Sequence, residues 1–518
     1  MSTILHRAYV ISDLHLGGRF PASGGGRGFR MMDRPDALAS FIRGLAAKPV
    51  QPTIELIING DFVDFLAEET DDGRWKPFRD EPGEAVAAFE VLAGRKEDGE
   101  VFEALAGLVD AGHRLTILIG NHDIELTWPE VRAAFERRLW TSSAKKTGAF
   151  NLRWIHDGEA LVVGDALIEH GNRYDPANFV DHESLRRVRE LRSRRLYGRE
   201  GGIFHPPVGS RLVADVMNPV KKEYPFIDLL KPESEPLFGL LLALDPSQRR
   251  RLDNLARSLL PIPLNLVGPA ADPGYRQRIS GSSAAAGISR GPVASGKRPK
   301  KDDPLVALLS RTIPADDVAE ANKALEMLPR EQGDEIARGR IASFGERAGA
   351  LYGLLGLVVS KKDDDIKNRL PLLRHAVRAL RGDQTFEESI ETGKRYIRAA
   401  RQLALGEKGI KQFGKAPVGF RFVIFGHTHH RKTVDLVEEA ATYVNTGTWA
   451  RLMKFPDDLV SDDDAIVTKA LGDFVESIQA GTYKTEFIPT YARVDVKDGG
   501  YVERVELLTY DPTTGKVE

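Results

Sequence analysis

The residue types able to hold a divalent cation fall into five short clusters in this chain. They are Asp13-Leu14-His15, Asp61-Phe62-Val63-Asp64, Gly120-Asn121-His122-Asp123, His170-Gly171-Asn172 and Gly426-His427-Thr428-His429. An Asp and a His two residues apart point the same way from an extended backbone, so one ion could take both, and His427 and His429 have the same spacing. Asn121 offers a neutral oxygen, and His122 beside Asp123 is a pairing that fixes an imidazole tautomer. The chain has no cysteine, which excludes thiolate sites and disulfides and leaves only oxygen and nitrogen donors. Each cluster alone has a bland reading. Asp-x-His can be a surface turn, Asp61 after Gly60 can cap a helix, and a lone His170 can be a packed core residue.

The elements behind the clusters change that balance. Residues 8–12, 56–58, 114–119, 166–169 and 419–425 are apolar runs that read as buried strands. Open α/β sheets carry their sites beyond the carboxyl ends of such strands, and this reading places all five clusters at the same edge of one sheet. Helical patterns over 36–47, 84–93 and 101–111 read as crossovers. Residues 160–163 and 166–169 read as a hairpin, 442–447 as a further strand, and 485–496 with 502–510 as a second hairpin around Asp498-Gly499-Gly500, preceded by a helix over 462–478. The glycine-rich stretch 17–28 holds Arg19 and Arg27 and reads as a loop from which an arginine could reach a bound phosphate.

With 518 residues and 42% hydrophobic content the chain can fill more than one core. Its formal net charge of -2, with 29% charged residues, gives no global attraction to nucleic acid or anionic membranes. The longest apolar runs are too short to span a bilayer, and the first ten residues lack a secretory-type apolar core. The expected location is cytoplasmic, with peripheral membrane association if the substrate is a lipid. From residue 175 the character changes. Arg186, Arg187, Arg189, Arg192, Arg194 and Arg195 interleave with Leu185, Val188, Leu191 and Leu196 as a basic amphipathic helix, in which a solvated face is the ordinary reading. Helical patterns continue over 237–260, 304–309, 315–328, 350–359 and 370–405, around a Gly/Ser/Ala/Pro-rich linker near 268–303 expected to be disordered.

Taken together and in this order, the motifs Asp13-x-His15, Gly60-Asp61-x-x-Asp64, Gly120-Asn121-His122-Asp123, His170-Gly171 and Gly426-His427-Thr428-His429 resemble those of the calcineurin-like metallophosphoesterases. The resemblance implies a four-layer α-β-β-α sandwich built from residues 1–174 and 418–518, with 175–417 as a large, mainly helical insertion forming a cap. It also implies that Asp13, His15 and His429 bind one metal, that Asn121, His170 and His427 bind the other, and that Asp61 bridges them. Within the superfamily, the Asp-Leu-His-Leu and His-Gly motifs look like the UDP-2,3-diacylglucosamine diphosphatase branch. That branch has Arg at the position of His122, Asp at that of Asn172, and a smaller cap.

The chemistry implied is phosphoester hydrolysis, of monoesters or diesters, by a hydroxide shared between two divalent ions, with Mn2+ as first choice and Fe or Zn2+ as alternatives. His122, oriented by Asp123, would protonate the leaving oxygen or stabilise the developing charge. Asp64 is expected to support ligands rather than bind metal. Arg186, Arg187 and Arg189, and Asn172, are candidates for holding a phosphorylated small-molecule, nucleotide or lipid substrate. A binding scaffold without catalysis is the alternative of another class; loss of ligands would mark it, and every expected ligand is present.

Overall fold

The computed structural model describes residues 3–19, 30–145, 151–175, 178–196, 203–223, 229, 391–405, 419–454, 456–461 and 463–518. In chain order the elements that build its layers are β1 (Ile4–Ile11), α1 (Pro35–Ala46), β2 (Thr53–Asn59), α2 (Pro82–Gly94), α3 (Lys96–Asp110), β3 (Arg114–Leu118), α4 (Pro129–Ser142), β4 (Leu152–Ile155), β5 (Leu161–Val163) and β6 (Ala166–Ile168). They continue with α5 (His182–Ser193), α6 (Val208–Leu212), α7 (Asn218–Glu223), α8 (Glu391–Leu405), β7 (Phe422–Phe425), β8 (Lys432–Leu436), β9 (Ala441–Asn445), β10 (Leu452–Met453), α9 (Asp464–Ala480), β11 (Thr485–Glu486), β12 (Thr490–Lys497) and β13 (Val502–Thr509).

The strands form two main sheets, as the four-layer sandwich implied by the resemblance requires, whereas the strand patterns alone place all five clusters at the edge of one sheet. One has the order β13-β12-β1-β2-β3-β4, the other β5-β6-β7-β9-β8, and β10-β11 is a separate pair. The pleat explains why two sheets are needed. In β1, Tyr9 and Ile11 join one buried cluster while Ala8 and Val10 join another. Successive side chains leave a strand on opposite faces, so a strand apolar on both faces must be covered twice. Tyr9, Leu56 and Ile58 pack against Leu38, Phe41 and Ile42 of α1 and Phe89 and Phe102 of α2 and α3. Ala8, Val10, Ile57 and Leu118 face Ala166, Ile168, Ile424 and Val444 of the second sheet. The far side of that sheet presents Leu167, Val423, Phe425 and Tyr443 to Tyr396, Ile397, Ala399 and Ala400 of α8. The result is four layers in the order helix, sheet, sheet, helix.

α1 illustrates the local logic. Pro35 starts it, Asp36 lies in its first turn, and Leu38, Phe41, Ile42 and Leu45 recur at helical spacing and are buried. The strand expected from residue 485 is divided: β11 pairs with β10, and β12 begins after Pro489, whose missing N–H interrupts the ladder. The linker near 268–303 and the helical patterns over 237–260, 304–309, 315–328 and 350–359 lie outside the described residues, as do Arg27 and residues 370–390 of the pattern over 370–405. Among the described residues, no helix is long and apolar enough to cross a membrane.

Candidate dinuclear metal centre

The five clusters follow β1, β2, β3, β6 and β7, and they converge from both sheets. The turns after β1 and β2 remain zipped beyond the strands: Leu14 N and His15 N both donate to Asp61 O at 2.9 Å, and Leu16 N donates to Phe62 O at 3.0 Å. The backbone is left-handed at Asp13 (φ 54°), His15 (47°), Asp61 (51°), His427 (69°) and His429 (63°). Only seven described non-glycine residues have positive φ, and five of them are expected ligands. Such conformations cost about 1 kcal/mol or more each and persist where surrounding contacts enforce them, typically at functional sites. Gly120 supplies room: a Cβ there would lie 2.1 Å from Asp61 Oδ1.

Two triads of potential ligand atoms, each within 4.8 Å of one another, are Asp13, His15 and His429, and Asp61, His170 and His427; His15, Asp61 and His122 form a third, overlapping group. Asp61 stands between the two halves. Its Oδ1 accepts from Asn121 N and His122 N, both at 2.9 Å, which leaves Oδ2 facing His170 Nε2 at 3.2 Å and His15 Nε2 at 3.8 Å. On one side His429 Nε2 lies 3.4 Å from Asp13 Oδ1 and 3.3 Å from His15 Nε2. Asp13 is fixed by Ser12 Oγ at 2.5 Å and by His427 N at 2.9 Å. On the other, His170 Nδ1 donates to Asn59 O at 2.8 Å, so Nε2 turns its lone pair toward the Asp61 carboxylate. Two acceptors face each other there, an arrangement that calls for a proton or a cation between them. The Asn121 side-chain oxygen is buried without a hydrogen-bond partner, as an oxygen ligand would be before its cation. By donor type, burial and convergence, these residues fit divalent cations.

The electrostatics of the protein without cations agree. Burial alone would lower the His170 pKa, but the Asp61 and Asp13 carboxylates push it up to about 10. Burial works to raise Asp61, yet His170, His122 and His15 hold it well below the usual carboxylate range. Asp13, buried and close to the Asp61 charge, is raised.

One sequence-based expectation needs correction. Asp123 does not orient the His122 ring: its carboxylate accepts from Gly120 N at 2.6 Å and Phe62 N at 2.8 Å, and burial with the Asp61 charge raises it to about 7. Adjacent residues in this turn diverge, and the carboxylate facing His122 Nδ1, at 3.1 Å, is that of Asp64. Asp64 also lies 3.4 Å from His15 Nδ1 and accepts from Leu66 N and Ala67 N. The described contacts of the α5 arginines run to carboxylates away from the expected metal ligands. Arg186 pairs with Glu183 and Glu190, Arg187 with Glu190, and Arg189 with Asp157. Asn172 Nδ2 donates to Asn178 O at 3.0 Å. Sequence reasoning missed Asp175, whose Oδ2 is 3.2 Å from His427 Nε2; the two are far apart in the chain, and no local motif links them.

Residues 6–225 match a family model described as calcineurin-like phosphoesterase. Comparison with curated proteins and with solved structures returns no match.

Proposed function

We propose, from the match of residues 6–225 to the calcineurin-like phosphoesterases and from the site that residues of this region form with His427 and His429, that this chain is a dinuclear metal-dependent phosphoester hydrolase. The observation that carries the reading is the Asp61 carboxylate held between His15 and His170, with a ligand triad on either side. In this reading Asp13, His15 and His429 hold one divalent ion, Asn121, His170 and His427 hold the other, and Asp61 is shared. Mn2+ is our first choice, and the oxygen and nitrogen donors suit Fe or Zn2+ as well. When bound, the ions neutralise phosphoryl oxygens and lower the pKa of attacking water.

The protein's own contribution is to orient and to move a proton. Backbone N–H groups of Asn121 and His122 fix one Asp61 oxygen, and Asn59 selects the His170 tautomer. His122, with Nδ1 toward Asp64, holds a proton at Nε2 for the leaving oxygen, and the Asp64 charge stabilises its imidazolium form. Its side chain retains 11% exposure where His15 has none, which suits a group that meets substrate.

We place substrate choice in the segment 175–417. Its described parts touch the site loops from several sides: Ser210 Oγ lies 3.5 Å from Asn121 O, Asn218 Nδ2 donates to Leu66 O at 2.7 Å, and the Tyr396 ring of α8 lies 6.1 Å from that of His427. Because α8 covers the second sheet, a cap deletion should spare it and remove only residues 231–390.

The test combines metal analysis with a screen of Mn2+-loaded protein against p-nitrophenyl mono- and diesters, nucleotides and UDP-2,3-diacylglucosamine. Two ions per chain and cleavage of at least one ester class are expected, with both lost in Asp61→Ala. A parental rate and metal content in Asp61→Ala would sink the dinuclear reading.

A further inference from the structure

Where the chain leaves β6 and the His170 turn, two residues that no motif singles out reach the second ligand triad. Asp175 Oδ2 lies 3.2 Å from His427 Nε2. The same oxygen accepts from Asn178 Nδ2 at 2.8 Å, which fixes the Asn178 amide so that its oxygen points away. That oxygen, Asn178 Oδ1, faces Asn121 Nδ2 at 3.5 Å. The backbone of Asn178 is held in turn by Asn172 Nδ2 at 3.0 Å and by Asp175 O at 3.1 Å. His427 follows β7 of the five-stranded sheet and Asn121 follows β3 of the six-stranded sheet, so the Asp175-Asn178 pair spans the gap between the sheets.

The chemistry of the contacts fixes which atoms remain for a cation. A neutral imidazole has one N–H and one lone pair. If Nε2 of His427 donates to the Asp175 carboxylate, the lone pair is on Nδ1. An amide whose nitrogen is drawn to Asn178 must turn its oxygen the other way, and Asn121 Oδ1 is the buried atom left without a hydrogen-bond partner. Carboxylates behind metal-bound histidines raise the basicity of the ligand and lock its ring.

We infer that Asp175 and Asn178 are positioning residues for the cation held by Asn121, His170 and His427, directing His427 Nδ1 and Asn121 Oδ1 into that site from one side. The inference rests on the dinuclear reading above and adds that the two sites are supported by different residues: Asp13 is held by Ser12 and His15 lies beside Asp64, whereas Asp175 and Asn178 meet His427 and Asn121.

The experiment titrates Mn2+ calorimetrically into the chelator-stripped full chain, as wild type and as Asp175→Ala, Asp175→Asn and Asn178→Ala. Wild type should take two equivalents. In Asp175→Ala one equivalent should bind as before while the other weakens by about 10- to 100-fold. Asp175→Asn, whose side-chain oxygen can still accept from Nε2, should recover part of that loss, and Asn178→Ala should weaken the same equivalent. Unchanged binding of both equivalents in Asp175→Ala and Asn178→Ala would overturn the inference, and so would an equal loss at both, which signals general damage to the fold. A wild-type chain that takes up fewer than two equivalents overturns the dinuclear reading itself, and this inference with it.

Discussion

Replacing Asp64 by Asn removes a negative charge 3.1 Å from His122 Nδ1 and leaves an amide of nearly the same shape. The amide oxygen can keep the hydrogen bonds from Leu66 N and Ala67 N, so the turn should survive. The charge interaction lost is about 4 kcal/mol for opposite charges 4 Å apart at an effective dielectric of about 20. The His122 side chain is partly exposed, at 11%, so we discount this to roughly 2–4 kcal/mol, or about 30- to 1,000-fold in rate. The loss should fall on the step in which His122 gives its proton to the leaving oxygen. It should therefore be large for alkyl phosphoesters and small for p-nitrophenyl esters, whose leaving group needs no proton. The assay is kcat for both ester types at saturating Mn2+, which separates proton transfer from any weakening of metal binding through His15. Equal losses on the two esters would refute the proposed role of Asp64 and His122. Asp123→Asn is the matched control. It should lower the melting temperature, because an amide cannot accept from both Gly120 N and Phe62 N without losing one, at about 1–3 kcal/mol. It should leave the dependence on leaving group unaltered.

Gly120→Ala should abolish both metal uptake and hydrolysis while the chain still folds, because the new methyl would displace the Asp61 carboxylate from 2.1 Å away; circular dichroism with metal analysis checks this. His122→Ala should mirror Asp64→Asn in its preference for p-nitrophenyl esters, and a double variant no worse than either single one would show that they act as a unit. The chelator-stripped protein should lose stability as pH rises from 6.5 to about 10. His170, raised to about 10 in the folded state, binds a proton there that the unfolded chain has released, so its contribution is complete below 6.5 and gone above 10. Denaturant melts at several pH values should show this slope in stripped wild type and a flatter one in His170→Gln; identical slopes would refute it. Loading with Mn2+ should replace that proton and abolish the slope over the same range.

Much of the candidate site was legible because each expected ligand sits beside a strand-ending turn within a few residues of another, as in Asp13-x-His15 and His427-x-His429. The division into two sheets came only with the family resemblance, since the sequence of β6 or β7 by itself records that it is buried but not which strand lies beside it. The partner of His122 was misread for a related reason. Asp123 is its neighbour in the chain, but the turn sends adjacent side chains apart, and the carboxylate that meets the ring comes from Asp64, a contact across 58 positions. β4 was missed because it is an edge strand with Arg153 exposed and Trp154 half-buried. α4 was missed because Val131, Ala134, Phe135 and Leu139 are scattered among charged residues, although Pro129 marks its start. The last helix of the insertion was readable as a helix, but nothing in its pattern told that it closes the sandwich.

The order of strands also bears on how the chain can be made. β1 pairs on one side with β2, only about forty residues later, but on the other with β12, near residue 490. β6 likewise waits for β7, which begins at Phe422. A ribosome adding about 5–20 residues per second needs roughly 15–50 seconds to go from residue 225 to β12. Through that interval the matched family region, though fully synthesised, carries two unpaired strand edges and has the inner apolar face of its sheet uncovered. Such edges template pairing with other chains. The nascent protein is thus a natural client for chaperones, and truncated forms ending near residue 225 should aggregate rather than fold.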